Sequence, residues 1–462
     1  MSNKKNSLFK DIVKAAWFPV LCAVLTLLLG MLYFAARDKA AVAETPGYDP
    51  YAGIDAPDPP VIDVSPTDYR PAAYVTPTDV SQTDMPSEPV STPGDYTAPE
   101  PPAEVSADLK TYVVDTAEKY GAAAVQGAII KDGRPAYFFN YGQADKSDGT
   151  AAANDTKFRV ASLSKPSVAM VVMTLADSGK LNIDADISNY LGYSVRNPNY
   201  PDVPITARKL MNYTSSIFDS AAFDDAREDN SSVPLEELMK RKDSFTGSKP
   251  GEKFNYSNLG IALLADITEC ITQKRFADYA KEVLFDLVGV DCSFFASELP
   301  DKSKLANIYR DDGTIGLSKQ QQLEFRANDT LGQTYHIYQG NLTASALDYA
   351  TLLSVLLDRG TCGGRRILSE ESVDEMLKTQ FTKGDVKQCL CLERIGGIIN
   401  EKEMYCHTGS AYGEYSGFAF DPTDRSGVIV ITTGADAKQL DNGMYDVCLD
   451  MLKAAYREYL ED

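Results

Sequence analysis

Histidine is almost absent from this chain of 462 residues, with only His336 and His407 present. That excludes a metal centre built on several imidazoles. Cysteine does not fill the gap, because none of the eight is spaced as Cys-x-x-Cys and no zinc ribbon is encoded. No metal and no cofactor is therefore expected. Positive charge is also short, with 45 Lys and Arg against 66 Asp and Glu and a net charge of -21. No basic face is available to neutralise phosphates, so nucleic acid is not an expected partner. Seven of the eight cysteines lie beyond residue 269, and Cys22 sits in an apolar N-terminal run. Which of them pair does not follow from the sequence. Cys389 and Cys391 read as alternating on a strand, which would turn them to opposite sides.

Charge is equally scarce in one long stretch, Ala15 to Ala36, with Trp17 and Tyr33 near its ends. Such a run is long enough to span a bilayer, and Lys4, Lys5, Lys10 and Lys14 before it predict a cytoplasmic N-terminus. The organisation expected is a cytoplasmic tail over 1–14, a transmembrane helix over 15–36 and an extracytoplasmic remainder held at the cell membrane. The alternative is secretion after cleavage near Ala43, where Ala41-Val42-Ala43 fits the small-residue pattern. Residues 37–105 are rich in Pro, Asp, Thr and Ser, with prolines from Pro46 to Pro102, and cannot bury a core. They read as a disordered, semi-rigid stalk reaching from roughly 45 Å as a coil to roughly 190 Å when extended.

From Ser106 to Asp462 the pattern becomes globular. Ser106 can cap a helix, and apolar runs at Ala124–Ile130 and Ala136–Tyr141 flank Lys131-Asp132-Gly133 as a hairpin. Helices follow through the middle of the chain, including one expected over Ile261–Glu282. Strands return near Ile395–Asn400, Glu403–His407, Ser416–Phe420 and Gly427–Thr432 before a final amphipathic helix. This order predicts an α+β fold, an α/β sandwich. Its antiparallel sheet is formed by N- and C-terminal segments together and flanked by helices, with a mostly helical lobe inserted between them.

Chemistry is concentrated at Phe158-Arg159-Val160-Ala161-Ser162-Leu163-Ser164-Lys165-Pro166, which runs into the wholly apolar Val168–Ala176. Ser162 and Lys165 are three apart and would share a helix face, so an amine can take the hydroxyl proton. A helix apolar on every side lies inside the protein, and the serine falls near its positive terminus. Ser-x-x-Lys alone arises about twice by chance in a chain this long, so its weight comes from two further stretches. Tyr256-Ser257-Asn258 places a tyrosine and an asparagine on a tight loop opening a helix. Tyr405-Cys406-His407-Thr408-Gly409-Ser410 ends a strand with polar groups and a glycine that admits a ligand to the backbone.

Taken in order, Ser162-x-x-Lys165, Tyr256-x-Asn258 and His407-Thr408-Gly409 resemble the serine hydrolases of the β-lactamase and penicillin-binding protein superfamily. The class C β-lactamase-like branch, with its D-alanyl-D-alanine carboxypeptidases, D-aminopeptidases and esterases, is the nearest likeness. Asn212-Tyr213-Thr214-Ser215, Gly340-Asn341-Leu342 and Phe418-Ala419-Phe420-Asp421-Pro422 support it. The resemblance implies acyl transfer through an ester on Ser162, with Lys165 or Tyr256 as the base. A lysine in that role must give up about 4 to 5 kcal/mol of its ordinary preference for the proton. The resemblance further implies that Tyr256 relays protons and that Asn258 orients Lys165 and the substrate amide. It places the oxyanion on the backbone N–H groups of Ser162 and Ser410, and His407, Thr408 and Gly409 on the substrate-binding wall.

Three departures from the family pattern bear on the substrate. His407 stands where β-lactamases have lysine, which exchanges a fixed charge for a titratable one. Tyr213 and Ser216 stand where relatives have His and Gly, and the deacylating glutamate of class A enzymes has no counterpart. The expected partners are a small peptide or ester of peptidoglycan origin, a β-lactam as acylating ligand, and the membrane through residues 15–36. β-Lactamase and esterase activity are the alternatives, with a non-catalytic wall-binding module behind them.

Overall fold

The computed structural model describes residues 101–461, except 229–232, 326–329, 334, 400 and 401. The tail at 1–14, the span at 15–36 and most of the stalk lie outside the described residues. Among the described residues no helix is long and apolar enough to cross a membrane.

A large sheet is built from both ends of the globular region. Its strands are β1 (Ala103–Glu104), β2 (Ala124–Lys131), β3 (Arg134–Asp145), β4 (Phe381–Lys383), β5 (Val386–Gln388), β6 (Glu393–Ile399), β7 (Lys402–Ala411), β8 (Glu414–Asp421) and β9 (Ser426–Thr433). In space they run β1-β3-β2-β9-β8-β7-β6-β5-β4, with Thr150–Ala151 added beside β3. The join between the two halves is β9 against β2, where Val430 faces Gly127. The Asp132-Gly133 turn of the first hairpin has φ of 54° and 77°. Two consecutive left-handed residues match the right-handed twist of the flanking strands.

The sheet is mixed rather than antiparallel throughout. Ala103–Glu104 pairs parallel with Tyr137–Phe138, and the Val105 N–H continues it onto the Phe138 carbonyl at 3.0 Å. Ordered pairing therefore begins at Ala103, ahead of Ser106, whose hydroxyl accepts from Leu109 N at 3.1 Å to cap α1 (Ala107–Lys119).

Both faces of the sheet are covered. Along β9, Val428 and Val430 join a cluster with Val113 of α1 and Val447, Met451 and Ala455 of the C-terminal helix Asp446–Tyr459. Ile429 and Ile431 point the other way, into a larger cluster with Leu353 and the helical lobe. Burial on both faces explains why Gly427–Thr432 reads as a continuous apolar run rather than an alternating one. Each such side chain contributes about 1.5 to 3 kcal/mol.

Between β3 and β4 the chain forms the mostly helical lobe. Its central helix α2 (Ser164–Asp177) is buried along almost its whole length, as an all-round apolar segment must be. The helix expected over Ile261–Glu282 is two, because α3 (Asn258–Thr272) stops at Gln273 in a left-handed conformation (φ 56°) and Phe276–Ala280 starts again. Cys389 and Cys391 are not on a strand. They flank Leu390 in a buried bend where Cys391 has φ 51° and gives its N–H to the Met211 carbonyl at 2.7 Å. The seven cysteines among the described residues are free thiols.

Candidate active site

The nucleophile segment starts from a short strand, Phe158–Arg159, paired with Thr343–Ala344. Ala161 follows at φ 43°, and Ala161–Leu163 forms a 3₁₀ turn that leads directly into α2. Ser162 thus precedes the α-helix rather than riding on it, because left-handed Ala161 bends the chain sharply first. A left-handed alanine costs roughly 1 to 2 kcal/mol and persists where its surroundings hold it. Here the Val160 N–H bonds the Leu342 carbonyl at 2.9 Å, and the Ser164 hydroxyl donates to Ala161 O at 2.7 Å while accepting from Leu342 N at 2.9 Å. Ser162 is left half-buried at the surface of this tight turn.

Lys165 is fully buried on the first turn of α2. Its Nζ lies 2.9 Å from Ser162 Oγ and donates to the Gln339 carbonyl at 2.9 Å. The same nitrogen sits 4.8 Å from the centre of the Tyr256 ring. Burial holds the Tyr256 phenol well above its ordinary pKa, with a hydrogen bond to Ser162 opposing that shift, so at neutral pH it is a proton donor. Tyr256 also packs against Tyr213 at 4.7 Å between ring centres. Ser162, Lys165 and Tyr256 are therefore brought into one cluster.

Asn258 begins α3 immediately after its cap, Ser257, whose hydroxyl accepts from Gly260 N at 3.0 Å. Its amide nitrogen donates to Asp219 Oδ2 at 2.8 Å. Asp219 went unnoticed in the sequence, as did the Gln339 carbonyl. A backbone acceptor leaves no side-chain signal, and a lone aspartate in a loop rich in Asp and Asn has none either.

His407, Thr408, Gly409 and Ser410 lie on β7, opposite Phe418, Gly417, Ser416 and Tyr415 of β8. Pairing with β6 on the other side stops at Cys406, which leaves this edge of the strand for the nucleophile turn. Gly409 permits the approach, since a Cβ there would lie 2.5 Å from Ser416 Oγ and 2.7 Å from Val160 O. His407 is buried, and its Nδ1 is 2.8 Å from the Thr408 carbonyl. Burial, aided by the Lys165 charge, pushes its pKa down to about 3. The titratable charge expected at this position is thus a neutral imidazole at physiological pH.

The two departures at Tyr213 and Ser216 share a physical basis, because both have left-handed backbones, with φ of 58° and 67°. Ser216 carries the strain of a conformation that suits glycine, and its hydroxyl accepts from Asn197 Nδ2 at 3.0 Å. On the opposite rim, Arg159 donates from Nε to Asn341 Oδ1 at 2.9 Å and lies 4.9 Å from the ring centre of exposed Tyr412. Among the described residues no group of three or more His, Cys, Asp or Glu could hold a metal ion.

An α+β scaffold that sets a serine against a lysine where its helical lobe meets its sheet defines a class of hydrolases. The chain belongs to the beta-lactamase family, whose model matches residues 109–447. Among curated relatives, protein flp of Staphylococcus aureus (strain N315) is 28% identical over 151 residues, 33% of this chain and 30% of its own length. Penicillin-binding protein 4* of Bacillus subtilis is 28% identical over 159 residues, 34% of each chain. The match thus spans about a third of the length of those relatives. Solved structures show the same fold. The octameric penicillin-binding protein homologue from Pyrococcus abyssi has a TM-score of 0.61 at 21% identity over 76% of both chains. The beta-lactamase/D-alanine carboxypeptidase from Pseudomonas syringae has a TM-score of 0.58 at 18% identity, over 77% of this chain and 100% of that one.

Proposed function

We propose that the protein is a membrane-anchored, extracytoplasmic serine hydrolase that works through an acyl-enzyme on Ser162, acting on D-alanyl peptides or esters of the cell envelope. The observation that carries the chemistry is the 2.9 Å contact between Lys165 Nζ and Ser162 Oγ. The charged form of Lys165 that helps depress the His407 pKa cannot take a proton; once neutral, the amine keeps one N–H on the Gln339 carbonyl and offers its lone pair to the serine proton. Ser162 Oγ then bonds to the substrate carbonyl carbon. Its oxyanion is received by the backbone N–H groups of Ser162 and Ser410, a contribution of about 3 to 4 kcal/mol where one such donor has been removed. Tyr256, which holds its proton at neutral pH, passes one to the leaving group and is restored from Lys165. Water enters by the reverse relay and releases the acyl group.

The substrate class draws on the named relatives, a penicillin-binding protein and a D-alanine carboxypeptidase. The anchor rests on the uncharged run 15–36 and the stalk behind it. The β-lactamase reading has less support, because neutral His407 supplies no cation for a β-lactam carboxylate. Esterase activity fits the same uncharged wall. The discriminating experiment offers a D-Ala-D-Ala peptide, a chromogenic cephalosporin and a nitrophenyl ester to the protein and to Ser162→Ala. Turnover of the peptide or ester that vanishes in the variant is expected. No turnover of any substrate, or turnover that survives in Ser162→Ala, refutes the proposal.

A further inference from the structure

The Asp219 carboxylate receives four hydrogen bonds from the segment that carries the tyrosine and the asparagine. Ser257 Oγ and Leu259 N donate to its Oδ1 at 2.8 and 2.9 Å, and Asn258 N and Nδ2 donate to its Oδ2 at 2.9 and 2.8 Å. Three of these donors also mark the start of α3, so one role is plain capping. The fourth is different in kind, because it comes from the Asn258 side chain.

A carboxylate only accepts, so the nitrogen of Asn258 must face Asp219 and the oxygen must point away from it. The segment before Asp219 grips the same loop. Asn255 N and Nδ2 donate to the Tyr213 and Ile217 carbonyls, each at 2.7 Å, and Tyr213 packs on Tyr256. The left-handed backbones at Tyr213 and Ser216 give this segment the shape to do so.

We propose that Asp219 is a positioning residue of this site, which fixes the Asn258 amide with its nitrogen on the carboxylate and its oxygen turned away, available to an N–H donor of the substrate. This rests on the serine hydrolase reading above. Loss of the carboxylate frees the amide to turn over and present its nitrogen instead. A misplaced group of this kind costs up to about 100-fold in rate.

The test uses the full chain carrying Asp219→Asn, Asp219→Glu, Asn258→Ala and the double variant Asp219→Asn/Asn258→Ala. Steady-state hydrolysis is measured on whichever substrate the panel identifies, with correctly folded sites counted by a fluorophosphonate label on Ser162. Per labelled site, Asp219→Asn is expected to lower kcat about 10- to 100-fold with KM changed less than about 3-fold, and Asp219→Glu to recover part of it. In the double variant the Asn258→Ala loss should not deepen, because Asp219 acts through that side chain. Additive losses, or a lowered thermal midpoint with unchanged kcat per labelled site, would overturn the inference and leave Asp219 a helix cap. If Ser162→Ala retains turnover, the underlying reading fails instead, a result separable from either outcome.

Discussion

The imidazole of His407 is tied to its own neighbour, with Nδ1 2.8 Å from the Thr408 carbonyl oxygen. A carbonyl only accepts, so Nδ1 carries the proton and Nε2 presents a lone pair. The folded pKa of about 3 lies below the ordinary 6.5. The stability this contributes is therefore present above pH 6.5 and is lost as pH falls toward 3. Activity should show no inflection from His407 between pH 5 and 8. His407→Lys restores a cation to this wall, and the KM of a carboxylate-bearing β-lactam is expected to fall about 10-fold while that of a neutral ester is unchanged. Equal changes for both substrates would show that the residue does not read charge.

Tyr256 contributes a ring and a hydroxyl, and these separate cleanly. The ring contacts Tyr213 and Lys165, whereas the hydroxyl bonds Ser162. Tyr256→Phe keeps the former and removes the latter. We expect kcat to fall about 100- to 10,000-fold, the range for losing a proton relay, with the thermal midpoint within a few degrees of the parent. A midpoint that collapses instead would mean that the hydroxyl holds the lobe together.

Gly409 gives the test of strand placement. A methyl group there meets Ser416 Oγ at 2.5 Å and Val160 O at 2.7 Å, so either β7 or the turn bearing Ser162 must retreat. Gly409→Ala is expected to cost about 1 to 3 kcal/mol in urea unfolding, as overpacking does, and to reduce labelling of Ser162 by a fluorophosphonate at least 10-fold. Wild-type labelling would mean that the strand does not set the geometry of the nucleophile.

What the sequence made legible divides by mechanism. The all-round apolar Val168–Ala176 and the Asp-Gly hairpin were readable because burial and turn chemistry act on the residues that carry them. Ser162, Lys165 and Tyr256 could be grouped by motif order, and the structure brings them together. The Gln339 carbonyl, the left-handed Ala161 and the Asp219 carboxylate were not readable, since each depends on where the backbone passes. The strand assigned to Cys389 and Cys391 was misread for the same reason. Their alternation mimics a strand, but Cys391 turns left-handed to reach the Met211 carbonyl.

Glu414 is a buried carboxyl that the proposed chemistry leaves unused. It opens β8 opposite Ala411 and Thr433 and is 1% exposed, and beyond a weak contact from the Ser416 hydroxyl neither oxygen has a well-formed hydrogen bond. Burial raises its pKa from 4.5 to about 8, with Ser416 and Arg159 nearby only partly opposing the shift. At neutral pH it is therefore a neutral acid in the fold but ionised in the unfolded chain. The folded state then binds more protons, so this group's contribution to stability falls as pH rises from about 4.5 and levels off above about 8. Glu414→Gln removes the titration while keeping the shape. Its thermal midpoint should equal that of the parent near pH 4.5 and exceed it at pH 8, by an amount reflecting on the order of a few kcal/mol. Calorimetry of both proteins across that range checks it, and parallel curves would mean that Glu414 finds a partner when it ionises.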